Sequence, residues 1–554
     1  MKSNRRMKQS IAVVLAVILM LSMAACTKSE PKESAPTAKP AENTPPAGEA
    51  ALNPDEPAWK LDTSPVELSW FVGASWYGHS WGESLVSKYV TEKTGVNVKL
   101  EVPSGEANEH ITLMMTSGKL PDLITMGSWE NAVKKLWEGD HVYALNELAE
   151  QYDPYFFKVA GDGTLKWYRQ DNGNTYGVPN DSYSPNLMHE TGMTAANQTF
   201  LVRKDLYEEM GSPDLSTPEG FLSALQLLKD KYSKYKGQTI SPFFAQGNVP
   251  YGMTEYLQNL LAVPHEQEGK VYDRITDPDY ITWLKTFRTA YERGLLNVDF
   301  LVDSDTQVEE KTNNARYFMM IREWNGMAAV NPMLAASANP DSHYIAVDGP
   351  QNSKGDSAKL FPGNMDGWMV TMISKSNKNP ERAIRFLTYL ASEEGQRDLF
   401  LGKEGETWEQ ANGKPQLKAD MVELLSTDIE KLEKQYGIMD TYWMMRNPVI
   451  INQWRPEKAP VIKQMEEFAN KQADIDSGIY KGLDPLGDSD VAVAWSRISQ
   501  NWEEVMPELI TAKDEAAFDK IFESFLSRRA SYGFDKVMEY RQGELDVRKA
   551  KMAE

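Results

Sequence analysis

The chain has 554 residues, with 59 Lys and Arg against 80 Asp and Glu and a formal charge of −21. Its 41% hydrophobic and 25% charged residues suit a soluble globular protein of roughly two to four domains. The acidic balance argues against nucleic acid, whose phosphates need a concentrated basic surface, and one cysteine with six scattered histidines excludes a disulfide framework and a cysteine-based zinc site.

The N-terminus reads as a secretory address. Lys2, Arg5, Arg6 and Lys8 precede the apolar run from Ile11 to Ala25, which is shorter than the about 20 residues a membrane span needs. Leu21-Ser22-Met23-Ala24-Ala25-Cys26 resembles a bacterial lipobox, in which the signal (residues 1–25) is removed and the Cys26 sulfur takes a diacylglycerol. Two acyl chains make a stable anchor where one is marginal. From Cys26 to residue 60 the chain is mostly Pro, Ala, Glu, Lys and Thr, as expected of a disordered tether. No later stretch approaches 18 apolar residues. The body is therefore expected to be soluble, held on the extracellular face of the cell membrane by its lipid alone.

Strand and helix signals alternate from residue 65, which predicts an α/β architecture. Val66–Val72 reads as a strand ending at Gly73, followed by a helix around 83–93 that Thr94-Gly95 stops, and a strand over 96–102. Ile111, Met114 and Met115 predict a helix over Ala107–Ser117 with Gly118 just past its end, and Pro121-Asp122 leads into a buried strand at 123–126. This order sets strands in parallel and gathers their C-terminal loops, where α/β sheets bind ligands. Thr217-Pro218 suits the N-cap and first position of a helix carrying Phe221, Leu222, Leu225 and Leu228. Asn379-Pro380-Glu381 repeats the device before Ile384, Leu387, Leu390 and Ala391, and Phe518, Ile521, Phe522 and Phe525 form a last apolar stripe.

Four segments carry a family resemblance. Ser117-Gly118-Lys119-Leu120-Pro121-Asp122-Leu123-Ile124 is similar to an "SGxxPDL" helix-to-strand step, and Asn174-Thr175-Tyr176-Gly177-Val178-Pro179 to a "YGxP" strand. Leu201-Val202-Arg203-Lys204-Asp205-Leu206 is similar to an "RKD" step into a helix. Gly367-Trp368, then Asn379-Pro380-Glu381-Arg382-Ala383 and Ser392-Glu393-Glu394-Gly395-Gln396, match a helix pair ending in "SEEGQ". Together with the lipobox, they resemble the solute-binding lipoproteins of ABC importers, family 1 type, in the large carbohydrate-binding subgroup of Gram-positive bacteria. The resemblance implies a two-lobe periplasmic-binding-protein-like fold (type II) with a ligand cleft and three interlobe crossings, near 176–200, 358–368 and 402–412. Lobe one is then expected at 61–180 plus 365–405, and lobe two at 185–360 plus 410–554. It also implies a monomer that hands a carbohydrate, an oligosaccharide for so large a member, to the membrane permease of an importer. Neither a cofactor nor a metal is expected.

Sugar recognition needs flat apolar faces and planar polar groups. Trp76, Tyr77 and Trp81 follow the first strand in a Gly- and Ser-rich run, and Ser128 and Trp129 follow the third. Glu323 and Trp324 follow the strand read at 317–321, and Asn364, Asp366 and Trp368 lie on the second crossing. Trp443 completes the aromatic candidates, and Arg203 could clamp a ligand carboxylate or form an interlobe salt bridge. Core packing is the competing reading for each tryptophan. Catalytic motifs are missing: there is no G-x-S-x-G, H-E-x-x-H or Walker A run. Asp171-Asn172-Gly173-Asn174 reads as a turn rather than a calcium loop. A secreted glycoside hydrolase or polysaccharide lyase is the alternative, since two carboxylates could be brought together in a fold of this size.

Overall fold

The computed structural model describes residues 52–183, 188–190, 194–247, 249–301, 303–363 and 365–553. Cys26, the expected signal and Asn364 lie outside the described residues. The end of the expected tether belongs to the fold: Trp59 is buried edge-on against Tyr389, and the Ala58 amide donates to Asp153 Oδ1 at 3.2 Å.

The first sheet contains β1 (Val66–Val72), β2 (Val96–Glu101), β3 (Leu123–Gly127) and β4 (Val178–Pro179). The second contains β5 (Gln198–Arg203), β6 (Ser241–Ala245), β7 (Tyr317–Glu323) and β8 (Tyr344–Ala346), after which β9 (Met369–Ile373) returns to the first. The first sheet has the order β2-β1-β3-β9-β4, with β1 parallel to β2 and β3 and β9 antiparallel to its neighbours. Helix Leu85–Thr94 connects β1 to β2, capped by the Ser84 side chain and ended by left-handed Gly95. Ala107–Ser117 connects β2 to β3 and ends at left-handed Gly118, as its sequence predicts. Asp122 ties the two central strands, accepting from both the amide and hydroxyl of Ser69 at 2.8 Å.

The second sheet has the order β8-β5-β7-β6. Its core includes Phe200, Phe221, Trp283 and Phe318, with Trp502, Phe518 and Phe525 from the C-terminal helices Asp490–Ile510 and Glu515–Ser531. Thr217 caps Pro218–Leu227 through the Gly220 amide, as expected from Thr-Pro.

The chain passes between the sheets three times: between Pro179 and Gln198, between Ala346 and Met369, and after Trp454. The third passage differs from the one expected near 402–412. Trp408, Leu417, Met421, Tyr442, Trp443 and Trp454 all join the core of the first sheet, so the stretch from 410 to 454 packs with the first body and not the second. The last helix, Phe534–Ala553, spans back: the Arg548 guanidinium lies 4.7 Å over Trp167 and Lys551 Nζ donates to the Arg169 carbonyl. Among the described residues, no helix is long and apolar enough to cross a membrane.

Candidate functional site

A cleft of about 3490 Å³ opens between the two sheets, several times the roughly 300–1,000 Å³ of ordinary small-molecule pockets. Strand direction decides what reaches it. β9 runs against β3, so its pairing of Met369 with Gly127 brings Trp368 beside Ser128, whose amide donates to the Trp368 carbonyl. β4 ends at the same edge, which places Asp181 there. In the second sheet β6 and β7 are parallel, so Gln246 and Glu323 emerge together, and the Glu323 amide donates to Gln246 Oε1 at 3.0 Å.

Three tryptophans from distant parts of the chain meet at the first sheet's edge. Trp76, 66% exposed, stacks on Trp368 with centroids 6.2 Å apart and on Trp443 at 5.6 Å, and those two are 4.5 Å apart. Trp76 and Trp368 line the cleft, whereas Trp443 is buried and backs them from the core. Trp129 is half exposed and covers Gly127, where a side chain would collide with the indole at 2.7 Å. Among the described residues, most of the large apolar side chains left exposed, Tyr251 and Met333 among them, line this same cleft.

Polar groups surround the stack. Asp366 Oδ2 accepts from Ser128 Oγ at 3.3 Å and burial raises its pKa, with Lys481 and Arg548 opposing the shift. Glu323 accepts from the Tyr256 hydroxyl at 2.6 Å and from Gln246 Nε2 at 3.3 Å. Glu255, also raised by burial, accepts from Gln198 Nε2 at 3.3 Å. Trp324 lines the cleft with its Nε1 donating to the Ala196 carbonyl, and Lys458 lies 4.8 Å over its ring.

Besides Trp443, three candidates lie outside the cleft lining. Tyr77 is buried with its hydroxyl donating to the Thr441 carbonyl, and Trp81 packs on Tyr442 and Phe386 with Nε1 donating to Thr91. Both support the Trp76 loop from behind. Arg203 is 1% exposed and grips Asp205 through Nε and Nη2. It ends β5, which runs antiparallel to β7, and so sits at the opposite end of the sheet from Glu323, spanning no lobes. The Asp171–Asn174 segment is the turn of a hairpin closed by Arg169 and Thr175.

The sequence reading missed a chain of charges. Trp368 Nε1 donates to Asp181, which Arg446 holds with two bonds of 2.7 and 2.6 Å. Arg446 also donates to Asp440, which Arg455 grips from the other side. Burial alone would raise Asp440, but the two guanidiniums hold its carboxyl far below the usual carboxylate range. Only Asp181 had a local signal, its place directly after the "YGxP" strand.

Among the described residues no group of His, Cys, Asp and Glu is arranged to hold a metal. Two α/β bodies with a cleft between them, joined by three passages of chain, are the architecture of two-lobe solute-binding proteins. The chain belongs to the bacterial extracellular solute-binding protein family, whose model matches residues 78–397. It is 22% identical over 341 residues to Lipoprotein LipO of Bacillus subtilis, a match that takes in 59% of this chain and spans 64% of that relative's length. The fold is similar to the crystal structure of alginate-binding protein AlgQ2, at 17% identity with a TM-score of 0.64, covering 90% of this chain and all of that one. It is also similar to the S. pneumoniae ABC-transporter substrate binding protein FusA in complex with kestose, at 15% identity and TM-score 0.63, covering 88% and 100% of the two chains.

Proposed function

We propose that the protein captures an oligosaccharide in this cleft and delivers it to the permease of an ABC importer, working as a monomer from a lipid anchor at Cys26. One observation carries the reading: an exposed indole, laid on two others, lines the same cleft as the carboxylate of Asp366 and the hydroxyl of Ser128, whose amide donates to the Trp368 carbonyl. An aromatic face takes the C–H side of a sugar ring, and such a carboxylate pairs with ring hydroxyls. Trp129, Tyr251, Glu323 and Trp324 extend that surface over more than one ring. Of the two similar folds, one is named alginate-binding and the other is in complex with kestose, which supports the ligand class, and a relative named as a lipoprotein supports the anchor. No chemistry is required of the protein. With the lobes divided at the three passages, ligand biases an equilibrium between open and closed arrangements.

A thermal-shift screen of the purified protein against mono- and oligosaccharides, followed by product analysis, tests this. A ligand at 100 times its Kd adds about 2.7 kcal/mol to the native state. Stabilisation with the sugar recovered intact is expected. Turnover of the sugar would replace the binding protein by a glycoside hydrolase or lyase, and silence across the panel would remove the carbohydrate reading.

A further inference from the structure

The charge chain beside the tryptophan stack joins all three interlobe passages. Asp181 begins the first, Trp368 ends the second, and Arg455 begins the third. Arg446 stands between them. Its Nε and Nη2 donate to the two oxygens of Asp181, its Nη1 donates to Asp440, and its carbonyl accepts from the Asp181 amide at 2.9 Å. Asp440 in turn holds both terminal nitrogens of Arg455. The backbone reinforces the junction: buried Asn180 donates to the Trp443 carbonyl and exchanges two bonds with Met369. Asp181 itself sits at φ 48°, a left-handed conformation that a non-glycine residue keeps only where its surroundings hold it.

We propose that Arg446 is a positioning residue: it clamps the three passages together and, through Asp181, fixes Trp368 as the backing on which the exposed Trp76 ring lies. The binding surface is then coupled to the hinge. A movement of the lobes that strains the Arg446 fork also tilts the Trp368 indole through its 2.8 Å bond to Asp181. The geometry demands arginine. A lysine ammonium is a point charge, unable to make two parallel bonds to one carboxylate while reaching a second. The value of this coupling for a sugar ligand rests on the function proposed above, but the device does not.

The experiment therefore needs no ligand. Closely stacked indoles give an exciton couplet in far-ultraviolet circular dichroism, and the difference between each protein and its own Trp76→Phe form isolates the part due to Trp76 on the other two indoles, since the 4.5 Å Trp368–Trp443 pair cancels. Arg446→Lys and Asp181→Asn are each expected to lose at least half of that couplet. Asp440→Asn leaves the Arg446–Asp181–Trp368 path intact and is expected to keep it, while chemical denaturation reports the stability of each variant separately. Should Arg446→Lys not fold, the comparison of Asp181→Asn with Asp440→Asn still decides. Retention of the couplet in Arg446→Lys would overturn the proposal. So would equal losses in Asp181→Asn and Asp440→Asn, or the absence of any difference between wild type and Trp76→Phe.

Discussion

The indole of Trp76 lies 6.2 Å from that of Trp368 with the two planes 16° from parallel, so one face of Trp76 is covered by protein while the residue as a whole remains 66% exposed. Such a residue contributes little to folding and much to a flat ligand. Trp76→Ala is expected to change stability by no more than about 0.5 kcal/mol. Affinity for a saccharide found in the screen should fall about ten-fold, the loss of one aromatic contact of roughly 1–1.5 kcal/mol. Calorimetric titration of both proteins checks this.

Arg203 separates structure from binding in the opposite sense. It is buried against Asp205 with further bonds to Gln238 and the Ala315 carbonyl. Arg203→Met leaves a buried carboxylate short of its main partner and should cost about 3 kcal/mol in denaturant unfolding. The folded fraction should bind saccharide with unchanged affinity.

Asp153 gives a pH dependence. It is fully buried, its Oδ1 accepts the Ala58 amide at 3.2 Å, and the Tyr155 amide, Arg385 and the Thr388 hydroxyl offset only part of the cost of burying the charge. Burial raises its pKa from 3.8 to about 6. The folded state thus holds a proton that the unfolded state has lost, and the stability from this group is present below about pH 4 and is lost as pH rises through about 6. Asp153→Asn keeps the acceptor without the charge. It should stabilise the protein at pH 7.5 by on the order of 2 kcal/mol, with the gain vanishing near pH 4. Urea titrations at the two pH values measure it.

Gly367 has φ 61°, and a side chain there would meet the Asn180 carbonyl oxygen at 1.8 Å. Two passages of chain approach so closely that only hydrogen fits between them. Gly367→Ala should destabilise by well over 1 kcal/mol in chemical denaturation.

Cys26→Ala tests the anchor. Without the thiol no thioether to lipid forms, and the protein is expected in the culture medium instead of the membrane fraction on immunoblotting. Retention in the membrane fraction would speak against lipidation at Cys26.

Local elements were legible where local chemistry decides them. Gly95 stops one helix, Thr217-Pro218 opens another, and Val66–Val72 forms a strand because its β-branched and aromatic residues fit a pleated, buried surface. The third passage was misplaced because Trp408 through Trp454 is a run of short helices and turns whose apolar residues fit either lobe equally well. Within the site, Trp76, Trp129, Trp324 and Trp368 could be picked out because they follow or precede strand ends. Asp440, Arg446 and Arg455 could not, and Asp181 had only its place just after the "YGxP" strand, since an ion pair between residues 265 apart leaves no spacing to detect.

The sequence alone determined the alternation of strands and helices, the parallel start of the first sheet and the edge at which its loops gather. These follow from periodicity, capping and strand handedness, all short-range properties. Only the tertiary structure decided that Trp443 stands behind Trp76 and not in the cleft, that Arg203 lies at the far end of its sheet, and that one arginine ties three passages of chain. Those outcomes depend on the antiparallel direction of β5 and β9 and on which core captures the stretch before residue 455. Both are set by packing between segments hundreds of residues apart.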